Sequence, residues 1–157
     1  MIMNTEDEPL ILRNEFPHPV QHVFNAFASA DAIGQWFAPH ESIKTNVTEF
    51  NFTEGGEYRM EFTLPDGITT SLSGTFQTIN SPAHIVFSFC WEKPDPHADI
   101  NTIVTIDLIE KGEYTEIIIS HIKFKDDEMR KRHTDGWQGT LSRLGEYLEK
   151  TKIKEQR

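Results

Sequence analysis

The sequence predicts a single α+β domain, a curved antiparallel sheet with its helices on one face. Three observations lead there. From about residue 43 to 124 the apolar residues recur with a period of two, broken by short turns, and segments of helical spacing flank that region on both sides. Strands joined by turns this short are antiparallel neighbours, because a parallel pair needs a long crossover. The length of 157 residues suits one core and would make two domains unusually small.

The elements follow in order. Residues 1–8 read as a disordered acidic tail, 9–150 as the domain and 151–157 as a frayed, mostly basic end. Leu10 to Phe16 form a first strand. Pro19 suits the first turn of a helix, where its missing N–H costs nothing, and Val20, Val23, Phe24 and Phe27 make one apolar stripe. Asp31 caps a second short helix that runs into Trp36-Phe37 and ends at Pro39. Then Tyr58, Met60, Phe62 and Leu64 alternate with polar residues, and Pro65-Asp66-Gly67 turns the chain. Leu72, Gly74 and Phe76 share a face of the next strand, and Ile85, Phe87, Phe89 and Trp91 a face of the one after. A polar loop, 94–99, leads to Val104, Ile106 and Leu108, Lys111-Gly112 turns, and 114–124 is the last strand. Its run Ile117-Ile118-Ile119 is apolar on both faces, so the pattern does not orient it. Asp126, Asp127 and Glu128 stand where acidic residues favour a helix N-terminus. Met129, His133, Trp137, Leu141, Leu144 and Leu148 then mark one long helix to about 150.

Charge removes several function classes. With 15 basic and 25 acidic residues the net charge is −10. Upstream of Asp126 there are 7 basic and 18 acidic residues (−11), downstream 8 and 7 (+1), so neither part has the basic face of a nucleic-acid or anionic-membrane binder. The single cysteine, Cys90, excludes an intrachain disulfide and a multi-cysteine metal site. No basic, apolar leader opens the chain, and no run approaches the roughly 18 apolar residues that span a bilayer. The expected location is the cytoplasm.

Three glycines, 136, 139 and 145, interrupt the long helix, each at about 1 kcal/mol relative to alanine. They imply either close packing on the sheet or a space left between helix and sheet. The 11 Phe, 3 Trp and 3 Tyr allow the same two readings, a large core or an aromatic-lined pocket, and buried tryptophans need an acceptor for the indole N–H. Among seven histidines, His18 precedes the first helix and His97 lies in a solvated, mobile loop; His121 and His133 can meet across the sheet–helix interface, as hydrogen-bonded core residues or as an acid–base pair. No His-Glu-x-x-His, Gly-x-Ser-x-Gly or phosphate-cradling glycine loop occurs, and Cys90 sits mid-strand as an inert filler. No catalytic set, metal site or cofactor site is assembled.

Phe16-Pro17-His18-Pro19-Val20-x-x-Val23-Phe24-x-Ala26-Phe27 and Gln35-Trp36-Phe37-Ala38-Pro39 resemble the opening of the SRPBCC (START-like) superfamily. Gly55-Gly56-Glu57-Tyr58-Arg59, Gly74-Thr75-Phe76, Ile85 to Phe89 with Trp91, and His133-x-x-Gly136-Trp137-x-x-x-Leu141-x-x-Leu144 follow in that family's order, over about residues 10–150. The pattern is similar to the branch of homologues of the heat-shock-protein-90 ATPase activator. The resemblance implies a helix-grip fold, with about seven strands gripping the C-terminal helix around a hydrophobic cavity. By position it implies that Trp36, Phe62, Phe76, Phe89, Trp91, Trp137 and Leu141 bind ligand. Relatives include lipid and hormone binders, polyketide cyclases and co-chaperones, so the fold does not settle the function.

Three functions follow as expectations. The first is non-enzymatic binding of a small hydrophobic or aromatic ligand, in a carrier, sensor or sequestering role, by a monomer or homodimer. The second is a co-chaperone or stress-response module that docks on a chaperone through its surface. The third is a cyclase- or hydrolase-like enzyme in which His121 or His133 transfers a proton.

Overall fold

A computed structural model of the chain describes residues 8–155, with side chains to residue 152. The order is β1 (Leu10–Phe16), α1 (Val20–Asn25), α2 (Ala30–Trp36), β2 (Lys44–Phe50), β3 (Glu57–Thr63), β4 (Thr69–Asn80), β5 (His84–Trp91), β6 (Thr102–Lys111), β7 (Tyr114–Ile122) and α3 (Asp127–Glu155). All seven strands join one sheet in the order β1-β7-β6-β5-β4-β3-β2, every pairing antiparallel. With the short helices and the long α3 this is a helix-grip α+β fold. Residues 1–7 of the expected acidic tail and 156–157 of the expected frayed end lie outside the described residues.

Alternation decides which face each strand buries. Tyr58, Met60 and Phe62 on β3 face the core, as do Ile85, Phe87 and Phe89 on β5 and Val104, Ile106 and Leu108 on β6. The ambiguous isoleucine run is settled by register. Ile117 and Ile119 are fully buried opposite Leu108 and Ile106, while Ile118 lies half-buried on the outer face beside Asp107. The buried stripe of α3, Met129 to Leu148 at spacings of four and three, covers the inner face.

Several boundaries differ from the expectation for local reasons. The cap of α2 is Ser29, whose hydroxyl accepts the Ala32 N–H at 3.1 Å; Asp31 sits in the first turn instead. That helix ends at Trp36, before Pro39. Asp126 caps α3 by accepting from Met129 N at 2.9 Å. The helix continues past 150 to Glu155, and β7 ends at Ile122 rather than 124. Among the described residues no helix is long and apolar enough to cross a membrane.

Each reading of the helix glycines holds at a different position. A Cβ on Gly139 would stand 2.2 Å from the Pro39 carbonyl oxygen, so only glycine lets the α2–β2 loop lie against α3. A Cβ on Gly136 would meet nothing within 4 Å. Gly136→Ala therefore raises stability by about 1 kcal/mol through helix propensity, whereas Gly139→Ala lowers it by about 1–3 kcal/mol through overpacking. Thermal unfolding will show opposite shifts of roughly 2–4 °C per kcal/mol.

Candidate functional site

The open space beside Gly136 is part of a cavity of about 380 Å³. It lies between the first half of α3, the α2–β2 loop and the inner faces of β3, β4 and β5. Its wall is mostly aromatic: Phe37, Phe62, Phe89, Trp91 and Trp137, with Ile43, Leu64 and Leu72 between them. The other end of the bowl is filled. There Phe50, Phe52, Phe76, Phe87 and Tyr58 pack edge-to-face and stacked, with ring centroids 5.1–6.1 Å apart, around a void of about 20 Å³, room for about one water. Helix and sheet thus enclose a space at one end only.

Four of the seven residues expected to touch ligand, Phe62, Phe89, Trp91 and Trp137, line the cavity together. The other three lie elsewhere. Trp36 is buried under α2, its ring edge-on to Phe27 at 5.0 Å and its N–H donated to the Ala26 carbonyl at 2.9 Å. Phe76 belongs to the filled end. Leu141, one turn beyond Trp137, is buried past the cavity's end.

The two tryptophans of the wall solve their polar problem with two histidines. Trp91 Nε1 donates to His133 Nε2 at 2.9 Å, and His133 Nδ1 donates to the Met129 carbonyl at 2.7 Å. Trp137 Nε1 donates to His121 Nδ1 at 3.1 Å; His121 Nε2 donates to Thr102 Oγ1 at 2.7 Å, and that hydroxyl donates to the Phe89 carbonyl. An imidazole that accepts at one nitrogen and donates at the other is neutral, and its tautomer is set by its partners. Burial, first of all, depresses both: His121 well below the ordinary value, and His133 to about 4. The rings lie 5.3 Å apart, as the sequence allowed, with every nitrogen engaged, so neither has a free lone pair for proton abstraction.

The loop carrying His97 is not a free solvated turn. Arg132 on α3 donates to both carboxylate oxygens of Asp95 at 2.8 Å, and to His97 Nδ1 at 2.7 Å. Its guanidinium stands 4.9 Å from the centre of the Trp91 ring. Asp95 also accepts from the His97 backbone N–H at 2.8 Å and from the Thr70 hydroxyl at 3.1 Å. Burial raises its carboxyl, but these hydrogen bonds outweigh burial and hold it below its ordinary value. Arg132, Gly136 and Thr140, four apart, form the row of α3 beside His133 and Trp137 that faces the cavity. Helical spacing could have found that row; no sequence pattern joins Asp95 to Arg132.

Cys90 is half-buried on the outer face of β5, and burial pushes its thiol up, which leaves it a poor nucleophile. Among the described residues no cluster of three His, Cys, Asp or Glu could hold a metal ion.

Residues 17–149 match the family described as Activator of Hsp90 ATPase homolog 1-like protein, and the chain belongs to that family. The AHSA1 protein from Silicibacter pomeroyi superposes with a TM-score of 0.81 at 23% identity, over 90% of this chain and 98% of that one. A protein from Arthrobacter aurescens gives 0.82 at 20% identity, over 95% and 90%. DynU16, from the dynemicin biosynthetic locus, gives 0.73 at 19% identity, over 91% of this chain and 48% of that one. No curated protein matches the sequence.

The paired histidines make stability depend on pH. Their folded-state pKa values lie below the unfolded value of about 6.5, so the unfolded chain binds the extra protons as pH falls. The contribution is complete above pH 6.5 and lost on acidification through about 4, where that of His133 alone amounts to about 3 kcal/mol. Urea unfolding from pH 7 to 4 will record that loss, and NMR titration will find the His133 ring still neutral at about pH 5.5.

Proposed function

We propose that this protein binds a small, mainly apolar aromatic molecule in the cavity between α3 and the sheet, as a carrier, sensor or sequestering protein. The single observation that carries the reading is the 380 Å³ space with its aromatic wall. That volume lies in the range of drug-sized ligand sites, and rings supply large contact area with few rotamers to order. Proton-transfer catalysis by His121 or His133 is disfavoured, because each lone pair already accepts an indole N–H. Phe62, Phe89, Trp91 and Trp137 are the contacts we assign to ligand, extended by Phe37 and Leu72 on the same wall.

The family description favours a second reading, docking on a chaperone through the surface. Chaperone ATPase turnover unchanged at saturating protein would remove it.

Trp91 and Trp137 stand in the wall, so ligand entry should shift intrinsic fluorescence. Gly136→Leu places a side chain in open space on that wall. It should weaken binding of a small neutral aromatic probe by about tenfold or more while leaving the fold intact. Undiminished affinity in that variant would place the probe elsewhere. Mass spectrometry of co-purifying small molecules will identify a natural occupant.

A further inference from the structure

The cavity wall carries three ionisable side chains, Arg132, His133 and Asp135. None presents an anion with an unpaired cation. His133 is a neutral ring engaged at both nitrogens. Asp135 is exposed and lies 3.1 Å from Lys131 Nζ. Arg132 is held in a two-point pair by Asp95, whose side chain is only 4% exposed, and it spends a third N–H on His97. The neutral polar side chains of the wall are also committed. Thr70 donates to Asp95, Thr140 to the Gly136 carbonyl, and the indoles to their histidines.

An anionic ligand would leave water and find in this space only a cation that is already paired. An anionic head that took the two-point face of Arg132 would have to draw it off Asp95, and a buried carboxylate stripped of its partner is strongly unfavourable. We infer that the cavity selects uncharged ligands over anionic amphiphiles, and that Asp95 is the residue that sets this selectivity, by holding Arg132 in the rim of the site. The inference rests on the ligand-binding reading above. It makes Asp95 a specificity residue that need not touch the ligand, and it places fatty acids and aryl sulfonates among the rejected classes.

A matched pair of probes tests it: N-phenyl-1-naphthylamine, which is neutral, and 1-anilinonaphthalene-8-sulfonate, the same skeleton with an anionic group. The wild-type protein should bind the neutral amine at least about tenfold more tightly. Asp95→Asn releases Arg132, so affinity for the sulfonate should rise about tenfold while that for the amine changes less than about threefold. The double variant Asp95→Asn/Arg132→Gln should return sulfonate affinity to within about threefold of wild type, and it serves as the decisive variant if Asp95→Asn does not fold. Equal wild-type affinity for the two probes overturns the inference. So does a folded Asp95→Asn protein that binds the amine without gaining sulfonate affinity. A tenfold loss of sulfonate affinity in the double variant also overturns it, since the clamped Arg132 would then already bind anions. If neither probe binds wild type, the ligand-binding reading falls and takes this inference with it, an outcome distinct from binding without charge preference.

Discussion

Two indole N–H groups, one buried and one partly buried, need acceptors where helix meets sheet, and the way they are satisfied ties α3 to the sheet. Trp91 projects from β5 to a histidine of the helix, and Trp137 projects from the helix to a histidine of β7. The two hydrogen bonds run in opposite directions across one interface, with the Phe89 ring between them, 5.6 Å from His133 and 4.8 Å from His121. Each is a neutral bond of about 1 kcal/mol net, but leaving any of these buried groups unpaired would cost more. The pairs therefore act mainly on specificity: they allow one height and one rotation of the helix over the sheet. Everything else at this end of the bowl, including the space under Gly136, inherits that placement.

The uneven filling of the bowl has a simple origin. At the Phe76 end, Phe50 and Phe52 lead out of β2 and bring extra rings into the core, where they stack at 6.0 Å and meet Phe76 edge-on. At the Trp91 end the row of α3 that carries Arg132 and Thr140 has glycine at 136, where a Cβ would meet nothing within 4 Å. A space that neither residue set can fill remains. Its rim is closed electrically by the Asp95–Arg132 pair, so the interior is both apolar and free of uncompensated charge.

Element order, antiparallel topology and the buried faces of β3, β4, β5 and β6 were legible from period and turn chemistry, because burial on one face imposes alternation directly on the residues. The isoleucine run of β7 was not, since an apolar outer face erases the signal and only pairing with β6 resolves it. The site was half legible. Phe62, Phe89, Trp91 and Trp137 were implied by the family resemblance through the elements that carry them, but Trp36 and Phe76 show why aromatic content alone misleads: rings fill the core at one end and line a cavity at the other. The need of buried indoles for acceptors was readable, whereas the choice of His121 and His133 as those acceptors depends on helix placement. The clamp of Asp95 on Arg132 spans 37 positions in the chain and has no local signature.

The contact of Gly139 with the Pro39 carbonyl has a mechanical consequence. Together with the Arg143 hydrogen bond to the Gln35 carbonyl at 3.2 Å, it fastens the α2–β2 segment to the terminal helix. Phe37 and Ile43, on that segment, and Gly136 and Trp137, on the helix, belong to one stiff jaw. The opposing jaw is the strand side, where residues 64–68 turn β3 into β4 at the cavity's edge. Adaptation to a bulkier guest therefore falls on β3, β4 and that turn, while the helical jaw, with the β5–β6 connection clamped to it through Asp95 and Arg132, keeps its shape.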